Sequence, residues 1–404
     1  MKSQKIIIAT TEISIGGLGS YLMTLIGGLK SRGWDVHLMV TNGSGSLFER
    51  MTNFAICHDL SAQHLSSKKI FRAAELVNKI SPDILLMNNC SLMHYTLPLI
   101  MKTTKPIAVL HSDDMRFYKT AAFFSKRIFR WIAPTQGVAD RCRTYLGQEL
   151  RKRVRITPHG IDNKLFKVNG KRKKKISGNI CFVGYIAENK GADLLPEILL
   201  TVSKAYQDVR LTIAGYGPLE EVLKKRCKAN GTLHKCFFTG AVNQEKVAAI
   251  LRDSDILLLP TRIEGFGLSI VEAMMSGAVP VVTRIKGITD DIVSDGMTGL
   301  LVEPNDTEGF AGAVAGLLKN PERLVLMSNA ARETAASRYS SKKMLDAYEA
   351  LFAEEDDRER IPCRGSLGWF GETIGEKIKQ GIDRQWLSNR AKEIWKQISM
   401  KKWV

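Results

Sequence analysis

The stretch Thr261–Gly277, TRIEGFGLSIVEAMMSG, leaves a chain few ways to fold. Upstream, Asp255-Ile-Leu-Leu-Leu-Pro260 is an apolar run of strand length closed by a proline. Downstream, Leu268–Met275 has helical spacing and stops at Gly277, the residue type that ends helices in a left-handed conformation. The pattern predicts a strand, a loop bearing Glu264, and a helix bearing Glu272 on its second turn. The first amides of such a helix have no partner within it and, with the helix dipole, attract phosphate. Gly265 and Gly267 let the backbone approach a ligand without a Cβ in the way. A carboxylate on each side of an anion site suits a ligand with hydroxyls at both ends of a diphosphate, which describes a nucleotide-sugar. The bland alternative is a solvated acid pair flanking an ordinary turn.

Glu264 and Glu272, with Gly265-Phe266-Gly267-Leu268-Ser269 between them, resemble the signature of the retaining glycosyltransferases of the GT-B fold, family 4. The resemblance runs from about residue 5 to about residue 352. It implies an α/β chain with two Rossmann-like domains facing across a cleft. In that likeness Glu272 binds the ribose hydroxyls and Glu264 the transferred sugar, while the amides of Gly265–Ser269 meet the diphosphate of a UDP- or GDP-linked donor. No cofactor is implied. No metal is required where a lysine and a helix terminus neutralise the phosphates.

A chain of 404 residues exceeds one ordinary α/β core and points to two domains with an appendage. The expected division is 1–162, a basic linker 163–178, a second domain 179–339, a helix 340–352 crossing back to the first, and a tail 353–404. Seven cysteines at 57, 90, 142, 181, 227, 236 and 363 are scattered without a C-x-x-C pair, against a disulfide framework or zinc site and for a reducing compartment. MKSQKIIIATT has too short an apolar run for a signal peptide, and no run reaches about 18 apolar residues, the length that spans a membrane. The net charge of +18 calls for anionic partners, either nucleic acid or a membrane surface with phosphorylated ligands.

Lys5–Thr10, Gly16-Gly17-Leu18-Gly19, Ser20–Ser31 and Asp35–Val40 read strand, turn, helix, strand, a Rossmann-like opening. The dinucleotide fingerprint fails: Leu22 occupies its third glycine position, and Thr41-Asn42 stand where a ribose-binding acid belongs. An NAD enzyme is disfavoured. The resemblance puts Gly16 and Gly17 near the donor phosphates and the acceptor. Asp83–Met87 and Ile107–Leu110 read as buried strands, and His111 follows the second at once, at the carboxyl end where ligands of open α/β sheets collect. By resemblance His111 faces the sugar being transferred.

Asp113–Lys175 is basic, with 18 Lys/Arg against 5 Asp/Glu. Within it Phe117–Pro134 mixes aromatics with Lys126, Arg127 and Arg130 at helical spacing. Two readings stay open, a helix lying on an anionic bilayer and a core helix with a solvated basic face. Arg155-Ile-Thr-Pro-His-Gly-Ile-Asp162 resembles the family's turn at the end of its first domain, with His159 in place of the usual Asn. Lys171–Lys175 and Ser177-Gly178 read as solvated linker.

In the second half, Cys181-Phe-Val-Gly-Tyr-Ile-Ala-Glu-Asn-Lys190-Gly191 resembles the family's F-V-G-R-x-x-x-x-K-G strand and loop. There the Arg and Lys hold the diphosphate; Gly184, Lys190 and Gly191 match, but Tyr185 stands at the Arg position. Ala214-Gly215-Tyr-Gly217-Pro218 matches the G-x-G-P turn of the nucleotide-side crevice, and the strand reaching Val242 is the one whose backbone reads the base edge in the family. Asp253-Ser-Asp255 imitates a metal motif, but Asp255 falls at a strand entry where the family has a structural Asp. Gly287-Ile-Thr-Asp290-Asp291 resembles G-G-x-x-E without its second Gly and Glu.

The tail opens with Glu354–Asp357, read as a solvated acidic stretch. It carries four of the six tryptophans and an apolar stripe through Ile374, Ile378 and Ile382, with Lys and Arg interleaved. Tryptophan and cations on an amphipathic helix over 366–404 fit an anionic membrane surface; docking on the protein's own first domain or on a partner subunit is the alternative. The expected function is retaining, metal-independent hexosyl transfer from a nucleoside-diphosphate sugar to a lipid-linked, lipopolysaccharide or other saccharide acceptor. The expected place is the cytoplasmic face of a bacterial membrane, with peripheral attachment. The rival readings are a GT-B-fold sugar-nucleotide epimerase and, from the charge alone, a nucleic-acid-binding protein. No nucleic-acid motif supports the last.

Overall fold

The computed structural model describes residues 3–62, 66–122, 124–166, 168 and 176–358. The tail expected over 366–404 and the lysine-rich 171–175 lie outside the described residues. Apolar runs such as KIIIAT, ILLMN, ILLL and VPVVT are too short for helices and too continuous for one-sided sheets. They suit parallel strands covered by helices on both faces. Among the described residues, thirteen strands, most of them of this kind, build two sheets.

The first sheet contains β1 (Lys5–Thr10), β2 (Asp35–Val40), β3 (Ile56–Asp59), β4 (Ile84–Asn88), β5 (Lys105–Val109), β6 (Arg130–Ala133) and β7 (Val154–Ile156), in the order β3-β2-β1-β4-β5-β6-β7. The second contains β8 (Asn179–Val183), β9 (Arg210–Ala214), β10 (Cys236–Gly240), β11 (Ile256–Leu259), β12 (Val279–Thr283) and β13 (Leu300–Val302), in the order β10-β9-β8-β11-β12-β13. Every ladder is parallel; Ile6 pairs with Ile84 and Ile256 with Ile180. Strand order reverses between β1 and β4 and again between β8 and β11. Those two switch points are where open α/β sheets leave a crevice. Two Rossmann-like sheets with a cleft between them bear out the α/β architecture expected from the sequence.

Separate cores support the two sheets, but the chain crosses between them. Ile161 donates to nothing in its own domain's sheet; its amide bonds Tyr339 O at 2.9 Å, and Ser341 N returns to Ile161 O at 2.9 Å. The helix Ser341–Ala353 then lies on the first domain against helix Gly17–Ser31. Tyr348 and Tyr21 share a hydroxyl hydrogen bond of 2.6 Å, and Glu349 accepts from Trp34 Nε1 at 2.9 Å. Gly28 leaves room here for the Leu345 side chain, whose Cδ1 would stand 2.4 Å from a Cβ at 28.

Three expectations are corrected. Phe117–Pro134 is not one helix: Met115–Ala122 is helical, Ser125–Arg127 forms a tight turn, and β6 follows. Phe129 and Trp131 are fully buried, and Trp131 Nε1 donates to Ala121 O, so these aromatics offer no face to a bilayer. The helical spacing arose because a buried strand and a helix end happen to follow one another. Second, the acidic stretch Glu354–Asp357 is solvated over 355–357 but not unpaired: Glu354 and Asp357 bind Arg130 at 2.6 and 2.7 Å, and Glu354 also meets Arg155. Burial of Arg130 at the start of β6 demands those partners. Third, the linker begins with a helical turn, Asn163–Phe166, whose Phe166 is buried in the second core.

Candidate active site

The candidate donor-site residues from both halves of the chain line one cavity of about 500 Å³ between the domains. The first domain contributes Gly16, Gly17 and His111. The second contributes Gly184, Tyr185, Lys190, Gly215, Val242, Glu264, Gly265, Phe266, Gly267, Leu268, Ser269 and Glu272.

The loop after β11 is stitched to the loop after β8. Arg262 N, Ile263 N and Thr261 Oγ1 all donate to Asn189 O, at 2.9, 3.1 and 3.1 Å. The Arg262 guanidinium grips both carboxylate oxygens of Asp193, at 2.6 and 2.8 Å, and reaches Asn305 Oδ1. Gly191, with φ +66°, passes so near Pro260 that a Cβ would fall 1.8 Å from its carbonyl oxygen. These ties bring Lys190 Nζ to 2.5 Å from Glu264 Oε1.

Helix Leu268–Ser276 begins at Gly267, φ +83°, and ends at Gly277, φ +88°. The glycine at 265 serves a purpose the sequence did not show: a Cβ there would stand 2.2 Å from His111 O, so this glycine lets the two domains touch. Thr135 Oγ1 donates to Gly265 O at 3.1 Å across the same seam. Phe266 is buried, its ring against His159 and Tyr339. Glu272 is 7% exposed, and among the described residues no side chain or amide is found bonded to its carboxylate. Burial pushes its carboxyl up to about 7.

His111 is half-buried and engaged at both ring nitrogens. Nε2 lies 2.9 Å from Asn88 Oδ1, an acceptor, so Nε2 carries the proton. Nδ1 therefore accepts from His159 Nε2 at 3.1 Å. That assignment leaves His159 Nδ1 as a bare acceptor, buried without a partner. Burial depresses both imidazoles, His111 well below the usual histidine range and His159 to about 3, with the neighbouring His159 adding to the effect on His111. Tyr21 packs on both rings.

Sequence reasoning missed His159 as a partner of His111, and it missed Asn88 and Asn89. Asn88 ends β4 and Asn89 follows it, as His111 comes just past β5, so the carboxyl-end rule that found one could have found the others. Arg50 was also missed. It lines the cavity from the first domain and pairs with Glu245 of the second at 3.3 Å. Nothing in its sequence neighbourhood marks it. The loop Gly287–Asp291, which matched no motif cleanly, joins the domains: Gly137 N donates to Gly287 O at 2.6 Å and Gln136 N to Asp291 Oδ2 at 3.0 Å. Ile288 is buried in a core cluster of the first domain. Asp255 accepts from Ser177 N, Ser177 Oγ and Asn179 N and is fully buried, a structural role. Among the described residues no cluster of three or more His, Cys, Asp or Glu side chains is placed to hold a metal ion.

Two family models match the chain, Glycosyltransferase Family 4 over residues 15–165 and Glycosyl transferases group 1 over residues 162–334. The chain is 29% identical over 175 residues to the alpha-D-kanosaminyltransferase of Streptomyces kanamyceticus, covering 43% of this chain and 45% of that one. It is 25% identical over 376 residues to the N-acetyl-alpha-D-glucosaminyl L-malate synthase of Bacillus anthracis, covering 85% of this chain and 96% of the relative. In structure it is similar to Anabaena HepE in complex with UDP-glucose, with a TM-score of 0.73 at 15% identity over 87% of this chain and all of the other.

Proposed function

Since the chain belongs to the GT-B glycosyltransferases of the group 1 and family 4 models, we propose that it moves a hexosyl group, with retention, from a nucleoside-diphosphate sugar to a saccharide or lipid-linked acceptor. The observation that carries this reading is the placing of Lys190, Glu264, Glu272 and the start of helix Leu268–Ser276 on one interdomain cavity. The UDP-glucose bound by the structural neighbour supports a nucleotide-sugar here.

In this reading the amides of Gly267–Ser269 and the Lys190 ammonium receive the diphosphate, where negative charge grows as the bond from the sugar's anomeric carbon to oxygen breaks. Glu264 accepts hydrogen bonds from the sugar and Glu272 from the ribose hydroxyls. The acceptor hydroxyl forms the new bond to the anomeric carbon, and its proton passes to the departing phosphate. His111, with both ring nitrogens engaged, acts as a fixed wall that also holds the His111–Gly265 seam. The tight seam excludes water, which would otherwise take the sugar. Metal-independent chemistry fits a lysine and a helix terminus as the neutralising groups.

We further propose peripheral attachment to the inner face of the cytoplasmic membrane, supported by the +18 charge; no helix among the described residues is long and apolar enough to cross a membrane. The test is thermal shift with UDP-, GDP- and ADP-sugars, followed by NMR of the stabilising donor with and without an acceptor extract. Sugar transferred with its anomeric configuration kept is the expected result. Epimerised donor in the absence of acceptor would overturn it.

A further inference from the structure

We propose that Tyr185 and Tyr216 together form an aromatic corner that holds the base of the nucleotide donor, stacked on one ring and in contact with the other. The inference rests on the donor reading above and adds a residue pair that the likeness to the family does not supply, since Tyr185 stands where a phosphate-holding Arg is expected.

The two rings are brought together by backbone. Gly184 N donates to Ala214 O at 3.0 Å and Ile186 N to Tyr216 O at 2.8 Å, lacing the turn after β8 to the turn after β9. The lacing needs glycine. At Gly215, φ +150°, a Cβ would fall 1.8 Å from Gly184 O, and at Gly217 it would fall 2.4 Å from Ile186 O. The rings of Tyr185 and Tyr216 emerge edge to face, with centroids 5.4 Å apart and planes at 80°. They are 47% and 48% exposed, and both line the cavity. A pair of large aromatic side chains with nearly half of each residue uncovered at a cleft is available for a ligand.

Position and chemistry select the ligand. Along the carboxyl ends of the second sheet, β11 carries Glu264 and the helix start, β8 carries Tyr185, β9 carries Tyr216, and β10 leads to Val242. A nucleotide-sugar with its sugar at Glu264 extends its nucleoside towards β9 and β10. The lining contributed by residues 214–247 holds no charged side chain; beside Tyr216 it offers Ala241, Val242 and Val247, with the amide of Gln244. On the second-domain side the walls are aromatic and aliphatic, with Arg50 of the first domain the charged group nearby, and such walls suit a flat base better than a phosphate. Base-on-aromatic stacking tolerates any base and contributes on the order of 1–3 kcal/mol, or about five- to a hundred-fold in affinity.

The test is calorimetric titration of the full chain with UDP, GDP and inorganic pyrophosphate. Tyr216→Ala and Tyr185→Ala are each expected to weaken the nucleoside diphosphate that the wild type binds by about ten-fold. Pyrophosphate binding stays unchanged, and Tyr→Phe at either position stays near wild type. Equal weakening of nucleotide and pyrophosphate would assign the tyrosines to the phosphates or to the fold and overturn the inference. Unchanged nucleotide affinity with a raised acceptor KM would give the corner to the acceptor and overturn it too. Wild-type protein that binds neither UDP nor GDP would sink the donor reading itself.

Discussion

Lys190 and Glu264 form an ion pair of 2.5 Å at the edge of the interdomain cavity, with Glu264 only 8% exposed. The two groups proposed to meet the diphosphate and the sugar thus satisfy one another. A buried carboxylate without a partner is costly, and Lys190 supplies that partner to Glu264.

Lys190→Ala is expected to lower kcat/KM by on the order of 10²–10³-fold, because it removes a cation from the developing diphosphate charge. Glu264→Gln is expected to lower turnover of the sugar donor but to leave affinity for the free nucleoside diphosphate within a few-fold. Steady-state kinetics beside UDP or GDP titration separate the two. Equal loss of nucleotide affinity in both variants would place Glu264 at the wrong end of the ligand.

Glu272 should give donor binding a pH dependence. Its carboxyl is raised to about 7 by burial, so below that pH it is protonated and a poor acceptor for ribose hydroxyls. Affinity is expected to rise between pH 6 and 8, by up to about ten-fold per pH unit on the acid limb. Glu272→Gln should flatten that limb. The sign for stability is opposite: a raised carboxyl pKa lowers stability as pH climbs from 4.5 to about 7, so the Gln variant should gain Tm relative to wild type at pH 8. A nucleotide affinity that stays level with pH in the wild type would contradict the assignment.

The buried imidazoles should make the fold sensitive to acid. His159 is held near 3 and His94 near 4, against a histidine value of 6.5, in each case by burial. A depressed folded pKa gives stability that is complete above 6.5 and lost as pH falls, at about 1.4 kcal/mol per pH unit for each group. Glu272 works in the other direction over part of that window. Replacing His159 by Asn should make the fall in Tm between pH 6.5 and 5 shallower. An unchanged slope would mean that His159 is protonated in the folded protein.

Closure should depend on the contact of Gly137 with Gly287. A Cβ on Gly137 would stand 2.9 Å from Gly287 O, against backbone that cannot yield easily. Gly137→Val is expected to part the domains, to raise donor KM and to increase the ratio of donor hydrolysis to transfer, since water then enters. NMR of product sugars measures that ratio. A ratio equal to wild type would show that the seam does not guard the reaction.

Much of this architecture was legible because strand and helix signals are local. The run before Pro260, the glycine at 277 and the apolar β1 and β4 each announce themselves within ten residues, and the spacing of Glu264 and Glu272 needs only the helix between them. What the sequence hid depends on distant chain. The glycine at 265 looked like an opening for a ligand, yet it clears space for His111 O, a partner far away in sequence. Phe117–Pro134 misled for a related reason: its period is a helix signal, but the deciding fact is that Arg130 finds Glu354 and Asp357, more than two hundred residues on. The engagement of His111 with His159 and Asn88 also required three segments of the first domain to converge.

The contacts of Glu354, Asp357 and Arg358 anchor the chain at the amino ends of β5 and β6, where Lys105 Nζ donates to Glu354 O and Arg358 reaches Thr104 O and Arg127 O. Those strand ends face away from the cavity. The segment Glu354–Arg358 therefore braces the back of the first domain, at the opposite strand ends from the cavity, and takes no part in the seam between the domains.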